Sequence, residues 1–288
     1  MILDTPELAV VESIAEALNA KRSRPFARFV SGGTELVADQ NLGIVCPEGY
    51  ISLRYVSEMT RVRVAEDRVE IGAGCTIAEL LEEPLATALP LLAKAARAFG
   101  TRQVRNRGTI GGNIASGLPD RTLTPCLLVL DATVTLESGN GTRTVPVREL
   151  LVGPGITSID PAELVTSVTI PRVAGFQDYR MVGPRNAQFY VTASIALVID
   201  PSDRDVRVAL GNCAPTAIRI PEAEAFALGA VDWDTSTLAE SAAVEFGRLV
   251  GEYCDPPEDS AASAGYRRHA ATVMARRLIR LGFESLSR

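Results

Sequence analysis

The chain has 288 residues, 47% hydrophobic and 22% charged, with 29 Lys and Arg against 35 Asp and Glu for a formal charge of −6. That length supports a large core divided between two units, and the acidic balance argues against nucleic-acid binding, which needs a basic face. Five scattered cysteines with no C-x-x-C pair, a single histidine and no long apolar run exclude a zinc site, an iron–sulfur cluster on this chain and a membrane span.

Residues 6–20 carry Leu8, Val11, Ile14, Ala15 and Leu18 on one stripe, the spacing of a helix. A strand at 26–30 leads into the turn Ser31-Gly32-Gly33-Thr34. Between 51 and 71, polar and apolar residues alternate around a Glu66-Asp67 turn, as in half-exposed strands. Gly72-Ala73-Gly74-Cys75-Thr76 follows, then a short helix at 77–81 and an Ala- and Leu-rich buried helix at 84–99 closed by Gly100. The run RNRGTIGGNIA occupies 105–115. Residues 123–130 are a buried helix or an apolar strand, which periodicity does not separate. A hairpin pairs 133–137 with 143–147 around Gly139-Asn140-Gly141.

Near residue 175 the character changes. Strands at 191–199 and 205–211, with an extended 215–220, suggest a small antiparallel sheet, and 222–228 and the C-terminal end look helical. The expected units are 1–175, with subdomains of about 1–55 and 56–175, and 176–288. With no signal-peptide pattern at the N-terminus and scattered, odd-numbered cysteines, the reading is a cytoplasmic chain.

The two glycine turns carry the chemistry. Glycine admits positive φ and close backbone approach, so such a turn can offer N–H groups to an anion. One such turn is weak evidence; two could clamp a diphosphate from both sides. Neither has the G-x-G-x-x-G spacing, and no strand–helix–strand unit with a suitably placed acidic residue is evident around them, which disfavours a Rossmann unit. Arg102, Arg105 and Arg107 flank the second turn as phosphate partners or as a solvated or subunit-facing strip. His269 reads as a surface or partner residue, and Cys75 and Cys126 as buried fillers. Arg267, Arg268, Arg276 and Arg277 on the terminal helix make a candidate docking surface.

Eight runs in order, SGGTEL at 31–36, IGAGCTIAEL at 71–80, FGTRQVRNRGTIGGNIA at 99–115, LLVLDATVTL at 127–136, PAELVTSVTIP at 161–171, GPRNAQFYVTASIAL at 183–197, CAPTAIR at 213–219 and SAGYRRHAATVMARR at 263–277, span nearly the whole chain. Together they resemble the FAD-binding medium subunit of the molybdenum hydroxylases, the family of xanthine dehydrogenase and carbon monoxide dehydrogenase. The resemblance implies an α+β fold: a two-subdomain FAD-binding domain of the p-cresol methylhydroxylase/vanillyl-alcohol oxidase type, plus a C-terminal α+β domain with a small antiparallel sheet. It implies an oxidoreductase subunit that carries electrons from two-iron two-sulfur clusters on a small subunit, supplied by a molybdopterin centre on a large subunit, to NAD+ or another acceptor. A stand-alone FAD oxidoreductase and a flavin-free scaffold are the alternatives.

By the same resemblance, Ser31, Gly32, Gly33 and Thr34, flanked by Val30 and Leu36, would hold the FAD pyrophosphate together with Thr109, Gly111, Gly112 and Asn113. Glu35 would bind hydroxyls of the cofactor, Gly74 and Thr76 would line it, and Phe99 would stack on it. Ala115, Leu164 and Val165 match apolar positions near the flavin ring. The family's S-P-A-x-D segment reads Ser116-Gly117-Leu118-Pro119-Asp120-Arg121-Thr122 here, so Thr122 takes the Asp position or Asp120 substitutes after a loop shift. The glycine turns contain no His, Cys or Tyr for covalent attachment, so the FAD is expected to be noncovalent. No catalytic residue and no metal ligand is assigned to this chain.

Overall fold

Residues 7–10 form a strand, not the start of a helix. In the computed structural model, which describes residues 6–184 and 190–287, Glu7–Val10 pairs in parallel with Gly49–Ser52. The helix is Ile14–Ser23, opened by Ser13, whose side chain accepts from the Glu16 N–H. Leu8 and Val11 therefore fall outside it: the cap and the sheet pairing override a local helical pattern. Arg28–Val30 pairs with the other side of Gly49–Ser52, also in parallel, giving a three-stranded sheet. The first glycine turn thus leaves a parallel strand and enters helix Leu36–Asn41 before the next strand. It sits in a small strand–helix–strand unit after all, without the Rossmann spacing.

The second sheet is antiparallel and five-stranded, in the order Val62–Val64, Arg68–Gly72, Leu164–Pro171, Thr133–Ser138, Gly141–Pro146. Its last two strands are the hairpin that Gly139-Asn140-Gly141 predicts, with Gly141 at φ +128. Residues 84–99 divide into helices Leu85–Ala88 and Pro90–Arg97, because Pro90 has no N–H to continue the first. Gly100 lies beyond the Ala98 cap, at φ +41. The short helix expected at 77–81 is a 3-10 turn, Glu79–Leu81, and 123–130 resolves as helix Thr124–Val129.

The third sheet is Phe176–Val182, Ala193–Asp200, Asp205–Gly211 and Ile218–Arg219. Residues 185–189, within the run at 183–197, lie outside the described residues. Every residue of Ala193–Asp200 is buried, and the two faces go to different cores. Ala196 and Val198 join the core of the first two sheets, while Ile195, Leu197 and Ile199 face helices Glu240–Glu252 and Ala264–Leu286. The first of these helices is absent from the sequence reading; its apolar stripe is Ala243, Phe246 and Val250. Asp131 of the first unit accepts from Arg207 at 3.0 Å and Arg219 at 2.8 Å, pinning the third sheet to the helix Thr124–Val129 region. No described helix is long and apolar enough to cross a membrane.

Leu197 is fully buried in the second core. Leu197→Ala is expected to cost about 2–5 kcal/mol in urea denaturation, through lost transfer energy plus the cavity left behind.

Candidate functional site

The closest approach in the molecule's glycine-rich region is at Gly32. A Cβ there would lie 1.9 Å from the carbonyl oxygen of Arg107, so only glycine lets the first turn rest on the second. Gly33 follows at φ +70. A Cβ at Gly108 would meet the Thr34 hydroxyl at 3.5 Å and the Phe99 ring at 3.7 Å, which places both side chains against the second turn.

The second turn is held by backbone atoms. Ile77 N donates to Gly108 O at 2.9 Å, Ile110 N to Cys75 O at 3.0 Å and Gly111 N to Ala73 O at 2.9 Å, while Thr76 and Thr109 form an isolated bridge. Ala73 N donates in turn to Thr166 O at 2.9 Å, which ties the assembly to strand Leu164–Pro171. A Cβ at Gly111 would be 2.6 Å from the Ala73 methyl. Thr109 caps helix Ile110–Ala115: its hydroxyl accepts from Gly112 N at 3.1 Å and its carbonyl from Asn113 N at 3.0 Å.

The N–H groups of residues 110–113 are thus all engaged inside the protein, and this turn presents a wall more than a row of donors. In the first turn, by contrast, the N–H groups of Gly32, Gly33, Thr34 and Glu35 make no hydrogen bond to backbone among the described residues. The second turn contributes a side chain instead. Asn113 is buried, and neither its Nδ2 nor its Oδ1 has a hydrogen-bond partner among the described residues. Leaving such a group unpaired costs about 1–3 kcal/mol, so an orphaned buried amide marks a place for a ligand.

Glu35 reaches Arg121, with Oε1 2.7 Å from Nη2. Burial pushes the Glu35 carboxyl above its ordinary range; Arg121 opposes that shift, and Asp39 and Asp120 add to it. Arg121 Nε also donates to Ser116 Oγ at 2.8 Å, and Ser116 Oγ donates to Asn113 O at 2.9 Å. The sequence reading assigned no role to Arg121 or Ser116; the Glu35–Arg121 contact joins positions far apart in the chain and leaves no local pattern.

The remaining expected site residues fall in different places. Gly74 and Thr76 belong to the segment bonded behind the second turn: Gly74 N donates to Met59 O at 2.7 Å, and both Thr76 N and its hydroxyl donate to Glu79. Val30 ends the strand that feeds the first turn, while Leu36 lines a separate cleft with Phe26 and Val45. Leu164 and Val165 are buried in the first core, and Ala115 is exposed at the end of its helix. Asp120 and Thr122 part company. Thr122 is buried and faces the phenol of Tyr179, whereas Asp120 keeps an unpartnered Oδ1 at 3.8 Å from Arg121 Nε.

Several neighbouring groups have structural work. Arg105 Nη1 donates to the carbonyls of Phe99 and Gly100 at 2.9 Å each, so it braces the second turn from within. Burial pushes the Cys75 thiol up to about 12 and that of Cys126 up as well, so both stay protonated at neutral pH. His269 is exposed, and the described residues hold no cluster of metal-ligating side chains. Arg267 is fully buried against Asp259, which removes it from the candidate docking surface.

Residues 6–173 match the family described as FAD binding domain in molybdopterin dehydrogenase, and residues 181–281 match the CO dehydrogenase flavoprotein C-terminal domain. The chain is 32% identical over 261 residues to the carbon monoxide dehydrogenase medium chain of Hydrogenophaga pseudoflava, covering 88% of each. It is 31% identical over 271 residues to the nicotine 6-hydroxylase medium subunit of Paenarthrobacter nicotinovorans, covering 93% of each. Among solved structures, carbon monoxide dehydrogenase from Hydrogenophaga pseudoflava lacking the Mo-pyranopterin moiety superposes with a TM-score of 0.90 at 30% identity over 99% of both chains.

Gly32→Ala must force the two turns apart, and the expected loss is about 1–3 kcal/mol in urea denaturation. Gly265→Ala is the control: a Cβ there meets nothing within 4 Å, and the helical position leaves stability level or slightly raised.

Proposed function

This chain belongs to the FAD-binding family of molybdopterin dehydrogenases, and we propose that as the flavoprotein subunit of such an oxidoreductase it carries electrons from iron–sulfur clusters on a small subunit to NAD+ or another acceptor. The molybdopterin centre that supplies them belongs to a large subunit in this reading. The observation that carries it is Asn113, a buried amide with both polar atoms unpartnered, linked through Ser116 and Arg121 to a first turn whose N–H groups make no backbone hydrogen bond among the described residues. That donor set fits the pyrophosphate of FAD: backbone N–H groups of 32–35 from one side and a neutral side-chain amide from the other.

In this proposal Ser31, Gly32, Gly33, Thr34, Thr109, Gly111, Gly112 and Asn113 hold the pyrophosphate, the first turn through its open N–H groups, Thr109, Gly111 and Gly112 by shaping the wall and Asn113 by direct hydrogen bonds. Phe99, Ala115, Leu164 and Val165 take the apolar contacts. Of the two candidates in the following loop, Asp120 takes the polar role, since it has the free oxygen. FAD supplies the redox chemistry when bound, and the protein contributes orientation, local charge and access. Nothing in the cleft has to move a proton in this reading. The proposal includes a p-cresol methylhydroxylase-type arrangement of the first two sheets, a unit boundary near residue 175 and a cytoplasmic location.

The purified chain is expected to show flavin absorption bands that pass entirely into the filtrate as FAD after acid denaturation, and NADH is expected to bleach them if NAD+ is the acceptor. A chain that stays colourless after incubation with FAD overturns the flavin reading. Asn113→Ala should raise the FAD dissociation constant about tenfold, the loss of one strong hydrogen bond.

A further inference from the structure

We propose that Arg121 is a positioning residue for the cofactor, latching the first glycine turn to the helix end of the second and balancing the carboxylates gathered between them. The inference rests on the FAD reading above and concerns a residue outside the motif that suggests it.

The latch is a chain of four groups. Glu35 stands at the end of the first turn, where helix Leu36–Asn41 begins. Its carboxylate meets Arg121 Nη2 at 2.7 Å, Arg121 Nε donates to Ser116 Oγ at 2.8 Å, and that hydroxyl donates to the Asn113 carbonyl at 2.9 Å. A guanidinium is a planar fork that can reach two acceptors in fixed directions at once, which an ammonium on a flexible stem does not reproduce. The latch ends on the backbone of the residue whose side chain is left unpartnered. It therefore bears on where the Asn113 amide sits, not only on whether the turns touch.

The first turn is held by its own backbone, with Gly33 O accepting from Val37 N at 3.2 Å and Glu35 O from Asp39 N at 2.8 Å. Its contacts outward include Gly32 on the Arg107 carbonyl and Arg121 at Glu35. Between them lie the open N–H groups. Holding both ends sets how these donors face the Asn113 side.

Charge gives the second reason. Asp39 and Asp120 both act electrostatically on Glu35, and Arg121 is the cation that faces it. A pyrophosphate arriving at the same place adds further negative charge. With Arg121 neutralised, the three carboxylates repel it, and less so as the pH falls and Glu35 takes up a proton. In the native chain Arg121 opposes the upward shift that burial gives Glu35, so the affinity is flatter with pH than without it. Arg121 has a fifth of its side chain exposed, 20%, which keeps solvent from erasing the effect.

The experiment is a fluorescence titration of FAD into the deflavinated full chain, native and Arg121→Gln, from pH 5 to 8, with melting of the flavin-free proteins alongside. Arg121→Gln is expected to weaken FAD about tenfold at pH 8, with the deficit shrinking toward pH 5. Arg121→Lys should restore part of the affinity by charge alone. In the Glu35→Gln, Arg121→Gln pair the two effects should not add, and the double variant should bind FAD more tightly than Arg121→Gln alone, as for groups in direct contact. If Arg121→Gln does not fold, Ser116→Ala removes one arm of the latch, and a threefold loss is expected there. An Arg121→Gln or Ser116→Ala affinity within error of native at every pH overturns the proposal. So does a lowered flavin-free melting temperature with unchanged affinity, which would assign Arg121 to the fold alone. A native chain that binds no FAD is a different result: it overturns the flavin reading itself.

Discussion

The cleft depends on backbone meeting backbone with no side chain between. At Gly32 the contact with the Arg107 carbonyl leaves no room for even a methyl group, and a Cβ at Gly111 would lie 2.8 Å from the Ala73 carbonyl oxygen and 2.6 Å from its methyl. Because the contacts are main chain to main chain, the order continues without a break. It runs from the first turn to the second, then through Ala73 to Thr166 and into the five-stranded sheet. A side chain can change rotamer to relieve pressure, but a carbonyl fixed in a ladder cannot. Rigidity of this kind is what a polar cleft needs if it is to hold open donors at a set distance without collapsing on them.

The third sheet contributes to the same cleft from outside it. Its central strand serves two cores at once, Ala196 and Val198 toward one and Ile195, Leu197 and Ile199 toward the other, so neither half can shift without uncovering apolar surface. The turn after Asp205–Gly211 then touches the loop that carries Arg121. Asn212 N donates to Pro119 O at 2.7 Å, and its side-chain amide donates to Val191 O at 2.6 Å. Asn212 holds φ +57 to do so, a conformation asparagine tolerates better than most residues. The loop 116–122 is therefore seated between the first glycine turn and the third sheet, and its position reports on both.

What could be read in the sequence was what has a short-range cause. Gly139-Asn140-Gly141 demands a tight turn, and the strands on either side follow. The strand expected at 205–211 has those bounds in the structure. The stripe at 6–20 was misread because Glu7–Val10 takes its structure from a partner more than thirty residues away, which local spacing does not record. The helix Glu240–Glu252 went unread although Ala243, Phe246 and Val250 have helical spacing; its Gly247 and Gly251 weaken the pattern, yet they are where Thr272 and Arg276 of the terminal helix come close. At the site, the glycines were legible because close approach admits little else. Their division of labour, with open N–H groups in the first turn and engaged ones in the second, needed coordinates, since both turns read alike as letters.

The loop 116–122 shows why matching positions is a weaker guide than matching roles. An ungapped comparison with the S-P-A-x-D pattern points to Thr122, yet that hydroxyl is buried toward Tyr179, on the core side of the loop. Burial holds the Tyr179 phenol well above its ordinary range, so it stays a neutral hydroxyl beside Thr122. An aspartate at 122 would put a charge into that same apolar setting, at a desolvation cost that a threonine avoids. Asp120 stands on the other side of this division: its Oδ1 has no hydrogen-bond partner among the described residues and lies 3.8 Å from Arg121 Nε, while Arg121 Nη2 pairs with Glu35 at 2.7 Å. The two positions that compete for one role on paper thus sit in opposite settings, one hydroxyl packed toward the core and one carboxylate beside a guanidinium.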